Sequence, residues 1–328
     1  MSEVQPASER RPTVGPPDAL HAIPRFAGAS TFARLPRLDE VGRADVAVLG
    51  VPFDSGTSYR PGARFGPEAV RAGSKLLRPF HIGLEVEPWS TLQVADAGDV
   101  GATPYDISEA IASIEQAARG LYGSAERIIT IGGDHTIALP LLRAAHAQHG
   151  PIALVHFDAH LDTWDNLFGA RTVHGTPFRR AAEEGLLDVH HSAHVGIRST
   201  TPSAQDFIDD KELGFATITT LDVARRGIDE AIDRIRSRVK DRPVYVSIDI
   251  DVLDPANAPG TGTPEPGGLM TRELQMILFG LADLDVIGAD VVEVAPAYDH
   301  AQITALAAAG LTFDLLAMMA RPNVPWVG

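Results

Sequence analysis

Three short runs carry the residues best suited to chemistry: Gly132-Gly133-Asp134-His135, Asp158-Ala159-His160-Leu161-Asp162 and Asp249-Ile250-Asp251. Together Asp158, Asp162, Asp249 and Asp251, with His135 and His160, offer an oxygen-rich set with two imidazoles and no thiolate. Such a set suits manganese, and nickel as well, whereas a lone structural zinc more often recruits cysteine. Carboxylates packed this closely without cations would repel and raise one another's pKa. Two divalent ions would remove that cost, with some carboxylates bridging them across roughly 3.5–4 Å. Taken singly, each run has an ordinary reading, because Asp after a strand commonly caps a turn or helix and Gly-Gly commonly makes a turn. Three such runs, each after a strand, point instead to a metal-centred hydrolase.

The strands decide whether these residues can meet. Residues 128–131, 152–157 and 244–248 precede the three runs, and all are short, rich in β-branched side chains and apolar at nearly every position. Strands buried on both faces of a parallel sheet read this way. In open α/β sheets, ligands bind beyond the carboxyl ends of the strands, which is where all three runs lie. Eight strands are expected near 45–51, 92–97, 127–131, 152–157, 193–197, 215–219, 244–248 and 286–292. Helical patterns intervene at 106–121, 136–148, 229–240, 272–284 and 303–320. Alternation of strand and helix predicts an α/β, three-layer αβα sandwich on a mostly parallel central sheet.

The runs and their flanks closely resemble the signatures of the ureohydrolases, the arginase and agmatinase family. Ile131 to His135, Phe157 to Asp162 and the long stretch from Ser247 to Pro264 carry the resemblance, with Ser58 to Pro67 and Glu293-Val294-Ala295-Pro296 beside them. It extends from about Asp45 to about Arg321. It implies two Mn2+ per subunit in the arginase-like fold. His135, Asp158, Asp162 and Asp249 match the ligands of one ion, and Asp158, His160, Asp249 and Asp251 those of the other, so that Asp158 and Asp249 bridge. The resemblance also gives Asp162 the nucleophilic hydroxide to hold, His174 a proton-shuttle role and Glu293 the substrate guanidinium. Leu161 departs from the family, whose members more often carry Thr or Ser there, although local alternation turns it away from the ligand positions.

These roles fit the splitting of a small cationic guanidino substrate into urea and an amine. A guanidinium is resonance-stabilised and stays protonated, so unactivated water attacks it poorly. Which guanidino compound is taken depends on its tail. Arginases hold the amino-acid end with an Asn two positions beyond the last Asp of the second run, and here that position is Trp164. An indole suits an alkyl chain better than a zwitterionic head. The stretch from Phe168 to Arg180 looks like the agmatinase branch, which makes agmatine, yielding putrescine, the leading expectation. Its ammonium would meet Trp164 by a cation–π contact, with Asp165 as partner. The alternative is a guanidino acid such as 4-guanidinobutyrate, 3-guanidinopropionate or proclavaminate, its carboxylate held by Arg171, or free guanidine.

Composition narrows the remaining classes. The 328-residue chain has a net charge of −15 and no basic stripe, which argues against a nucleic-acid partner. Residues 1–30, with several Pro and Arg, read as an arm that is extended or docked on a neighbouring subunit, and 31–328 as a single domain. No apolar leader and no uninterrupted apolar membrane span is expected, and with no cysteine the reading favours the cytoplasm. A homo-oligomer, trimer or hexamer, is implied by the resemblance alone. Intact residues at every ligand position argue against a metal-free structural pseudoenzyme, and no phosphate-cradling loop supports a two-metal phosphatase. The histidines outside the runs, His194 among them, read as surface or packing residues.

Overall fold

Eight apolar segments become strands in the computed structural model, which describes residues 13–17 and 23–321. They are β1 (Ala44–Val51), β2 (Val94–Asp99), β3 (Ala125–Gly132) and β4 (Ala153–Phe157). The others are β5 (Ala193–Ile197), β6 (Ala216–Thr219), β7 (Val244–Asp249) and β8 (Val286–Val292). They form one sheet in the order β2-β1-β3-β8-β7-β4-β5-β6, with every pairing parallel. All eight expected strands are present, and the central sheet with its flanking helices is the expected three-layer arrangement.

Successive side chains of a strand point to opposite faces, so a uniformly apolar strand needs a core on each side. In β3, Ile129 and Ile131 join Val46, Val246 and Val291 under the helices Ile228–Val239, Thr271–Gly280 and Ile303–Ala320. Ile128 faces the other way and joins Leu49, Leu154 and Tyr245 under Ile107–Leu121 and Ala138–His149. Each fully buried aliphatic side chain of this kind stabilises the fold by roughly 1.5–3 kcal/mol relative to exposure.

Helix ends follow local chemistry. Asp106 caps Ile107–Leu121 by accepting the Glu109 N–H at 3.0 Å. The helix expected over 136–148 opens instead with a 3-10 turn, His135–Ile137, because Asp134 caps it through the Thr136 N–H. The helix expected to run to residue 284 ends at Gly280, where Leu281 and Ala282 bond back to Leu278 and Phe279 and tighten the chain. One expectation is corrected: Ile303–Ala320 is long and apolar enough to cross a membrane. Its hydropathy has another cause here, since most of the helix is buried and its Asp314 bonds to His81 at 2.8 Å in the interior. The arm expected over 1–30 lies largely outside the described residues. In its described part, Val14 exchanges two hydrogen bonds with Gln93 at the start of β2.

The consequence for function lies in the strand order. β3, β8, β7 and β4 are consecutive at the middle of the sheet, and their carboxyl ends carry His135, Glu293, Asp249 and Asp158 respectively.

Candidate metal centre

His135 stands at the centre of the convergence. Its Nδ1 lies 3.2 Å from Asp158 Oδ2, 3.0 Å from Asp162 Oδ2 and 3.4 Å from Asp249 Oδ2. A second group shares Asp158: His160 Nδ1 lies 3.2 Å from Asp158 Oδ1 and 3.1 Å from Asp251 Oδ2. Five of the six expected ligands thus fall in two groups that share Asp158, the first also holding His156, and Asp249 joins the first through His135. Several carboxylate oxygens are also tied to the backbone. Asp249 Oδ1 caps its own 3-10 turn by accepting the Asp251 N–H at 2.8 Å, and Asp158 Oδ1 accepts the His160 N–H at 2.6 Å. Asp162 takes the left-handed conformation at φ 54, which Asp tolerates better than most residues.

Electrostatics tests whether this set fits a cation. His135 Nδ1 is fully buried and has no aligned hydrogen-bond partner, although three carboxylate oxygens surround it. Burial, and then the charges of Asp251 and Asp158, push Asp249 well above the usual carboxylate range. Burial and Asp158 likewise push Asp251 up to about 6 and raise Asp162. Burial alone would neutralise the His135 imidazole, yet the carboxylates outweigh it and raise its pKa well above the ordinary value. Negative charge of this density, closed around an orphaned nitrogen lone pair, fits divalent metal.

The rings are held from behind. His135 Nε2 donates to Ser247 Oγ at 2.8 Å, and Ser247 donates to Asp290 Oδ1 at 2.6 Å, which leaves Nδ1 as the metal-facing nitrogen. Ser247 and Asp290 come from β7 and β8, and sequence reasoning missed both. It also missed His156, fully buried in β4, whose Nε2 donates to Asp158 Oδ2 at 2.8 Å.

Glu293 lies beside the cluster. Its Oε1 accepts the His135 N–H at 3.0 Å and His174 Nδ1 at 3.0 Å, while its Oε2 is buried without a partner. Glu293 adopts φ 64, an unfavourable conformation for a residue of its length, held by its own N–H on Gly133 O at 2.8 Å. His174 Nε2 lies 2.7 Å from Ser58 Oγ, and Ser58 is a further contact that the sequence did not single out. Burial works against charge on His174, but the neighbouring Glu293 prevails and lifts its pKa to about 9.

A cavity opens over these groups, walled by Ser58, Leu161, Trp164, Ser199, Thr201 and Thr263. Leu161, which alternation turned away from the ligands, is part of its wall. Trp164 is held against Gly175, where a Cβ would come 3.0 Å from the indole. Asp165 and Arg171 are not on this wall. They pair with each other at 3.2 Å, and Glu183 and the buried Arg180 complete the ion-pair cluster. His300 is exposed.

Gly133 shows why the first run begins as it does. A Cβ there would sit 1.7 Å from Phe53 O, in the place where Asp134 N–H bonds that carbonyl at 2.7 Å. Gly133→Ala is therefore expected to destabilise the fold by more than the ~1–3 kcal/mol of ordinary overpacking and to weaken metal uptake through His135. Thermal unfolding with and without added divalent metal checks this. An unfolding temperature and metal response equal to wild type would contradict it.

Comparison with known proteins gives the family. The profile described as the arginase family matches residues 44–318. Putative agmatinase 1 of Schizosaccharomyces pombe is 44% identical, the match covering 91% of this chain and 84% of that protein. Guanidinobutyrase of Pseudomonas aeruginosa is 43% identical over 90% of this chain and 94% of its own length. Among solved structures, proclavaminate amidinohydrolase from Streptomyces clavuligerus superposes with a TM-score of 0.88 at 43% identity, covering 91% of this chain and 99% of that one.

Proposed function

The chain belongs to the arginase family, and from that membership we propose that it hydrolyses agmatine to urea and putrescine at a binuclear manganese centre. The observation that carries the reading is the buried, unpartnered Oε2 of Glu293 beside the His and Asp cluster. A buried carboxylate oxygen without a donor costs stability unless a ligand supplies one. A planar guanidinium supplies one with a full charge.

His135, Asp158, Asp162 and Asp249 would hold one ion, and Asp158, His160, Asp249 and Asp251 the other. When bound, the pair would lower the pKa of water toward neutrality and so supply a nucleophile at neutral pH. Glu293 fixes the substrate cation and aligns its central carbon for attack. Asp162 takes up the proton of the attacking water and returns it to the departing amine. His174, linked to Glu293 and Ser58, carries to the outside the second proton, released when the attacking oxygen becomes the carbonyl of urea.

The tail is read from what lines the cavity. Among the described residues of its wall there is no Lys or Arg to meet a carboxylate, whereas Trp164 offers an aromatic face and Ser199, Thr201 and Thr263 offer hydroxyls. That wall favours an alkylammonium. Arg171, the cation that would have marked a guanidino acid, is already engaged by Asp165 and Glu183. A second reading, hydrolysis of a guanidino acid, rests on the 43% identity to guanidinobutyrase and proclavaminate amidinohydrolase, within a few per cent of that to the agmatinases.

Urea release by manganese-loaded protein, compared on agmatine, arginine, 4-guanidinobutyrate, 3-guanidinopropionate and guanidine, tests the choice. Agmatine is expected to have the highest kcat/KM. Highest turnover on a guanidino acid would replace this reading with the second. Trp164→Ala is expected to cost agmatine roughly 10-fold in kcat/KM, the scale of a desolvated cation–π contact, with metal content unchanged. An unaltered substrate profile would remove Trp164 from the tail pocket.

A further inference from the structure

Behind Asp158, a line of buried titratable side chains leads away from the cavity, and nothing in the reaction described so far uses it. His156 Nε2 lies 2.8 Å from Asp158 Oδ2, and on the other side of the ring His156 Nδ1 lies 2.7 Å from His194 Nδ1. His194 Nε2 then approaches Asp210 Oδ1 at 3.2 Å, an ion-pair contact rather than an aligned hydrogen bond. Thr163 Oγ1 donates to the same Asp210 oxygen at 2.9 Å, and Thr217 Oγ1 to the other at 3.4 Å. His156, Asp158 and His194 are 0% exposed and Asp210 is 1% exposed. His156 and His194 are register partners on the neighbouring strands β4 and β5, and Asp210 comes from the helix Gln205–Leu213 packed beyond them.

Hydrogen-bond polarity sets the direction of this line. Asp158, as a metal ligand, can only accept, so His156 must donate to it through Nε2–H. One hydrogen lies between His156 Nδ1 and His194 Nδ1 at 2.7 Å, so each ring fixes the orientation of the other. Asp210, held below the usual carboxylate range, accepts, so His194 turns its Nε2–H toward it.

We propose that His156, His194 and Asp210 are positioning residues, a buried tether in which Asp210 anchors His194, His194 orients His156, and His156 orients Asp158 between the two metal sites. The inference rests on the reading of Asp158 as a metal ligand and goes beyond it. Its physical content is that a carboxylate shared by two ions must present each oxygen in a fixed direction. Asp158 Oδ2, shared between His135 Nδ1 and His156 Nε2, is fixed by this line, and Oδ1 by the His160 backbone.

Asp210→Asn keeps the shape of the anchor and removes its charge. Manganese binding to the metal-stripped protein is expected to weaken about 10- to 100-fold, the cost of losing an outer partner of a ligand. At saturating manganese, kcat should recover and KM for agmatine should remain as in wild type, and Asp210→Glu should restore part of the metal affinity. A wild type that binds two ions, with Asp210→Asn binding them equally tightly, would overturn this inference alone. A wild type that takes up no metal would overturn the metal-centre reading and the tether with it. Histidine-selective nitrogen-15 NMR of the manganese-free wild-type chain, assigned by the signals that vanish in His156→Gln, gives a second test that needs no folded Asp210 variant. His156 should carry a proton on Nε2, toward Asp158, and an unprotonated Nε2 would overturn the proposal.

Discussion

Asp249→Ala is expected to abolish uptake of the metal pair and to lower urea release by more than about 100-fold, beyond what losing an outer partner of a ligand costs. Asp249 Oδ2 faces His135 Nδ1 at 3.4 Å, and its Oδ1 caps the 3-10 turn that carries Asp251. One truncation would therefore remove a ligand that the proposed site assigns to both ions and loosen one that it assigns to the second. Asp158→Ala should do the same for a related reason, since Asp158 oxygens contact both His135 and His160. The folded Asp249→Ala protein should become more tolerant of metal-free conditions. Relief of repulsion explains this, because burial and neighbouring carboxylates hold Asp249 well above its ordinary pKa. Bound metal is measured by elemental analysis after gel filtration, and unfolding by calorimetry. Two retained ions with full turnover would refute the ligand assignment.

Glu293→Gln carries the second large effect and separates substrate from metal. The amide is the same size and can still accept the His135 N–H, so the metal groups should remain formed. What disappears is the buried negative charge facing the guanidinium. Breaking a buried charge pair by removing one partner costs roughly 3–5 kcal/mol, which corresponds to about 10^2- to 10^4-fold in kcat/KM. The loss should be the same at low and high manganese. His174 reports it independently: Glu293 holds its imidazole at about 9 against burial, so the pKa should fall in the variant. Burial alone disfavours the charged ring, which fixes the sign. An unchanged kcat/KM, or loss of metal, would move the guanidinium away from Glu293.

The layout of the site was legible because its ligands follow strands whose uniform hydrophobicity marks them as central. β3, β4 and β7 can be read from residues 128–131, 152–157 and 244–248, and each delivers its run at the carboxyl end. That β8 lies between β3 and β7, bringing Glu293 to His135, depends on pairings over long sequence separations and is not written in any local pattern. The same limit hid the second layer. His156 and His194 are thirty-eight residues apart and looked like isolated histidines in apolar strands, and only the pairing of β4 with β5 makes them neighbours. Ser247 and Asp290 meet by the equivalent register between β7 and β8. Asp165 and Arg171 misled for the opposite reason. Oppositely charged side chains in one exposed loop find each other first, so their types did not reveal whether they face the cavity.

Titration of metal-stripped protein with Mn2+, with bound metal and urea release from agmatine followed on the same samples, tests the central claim most directly. The account predicts no urea without metal and activity that rises to a plateau as two ions are bound per chain. Full turnover with no metal or one ion bound, or no urea from any guanidino compound once two ions are bound, would contradict it.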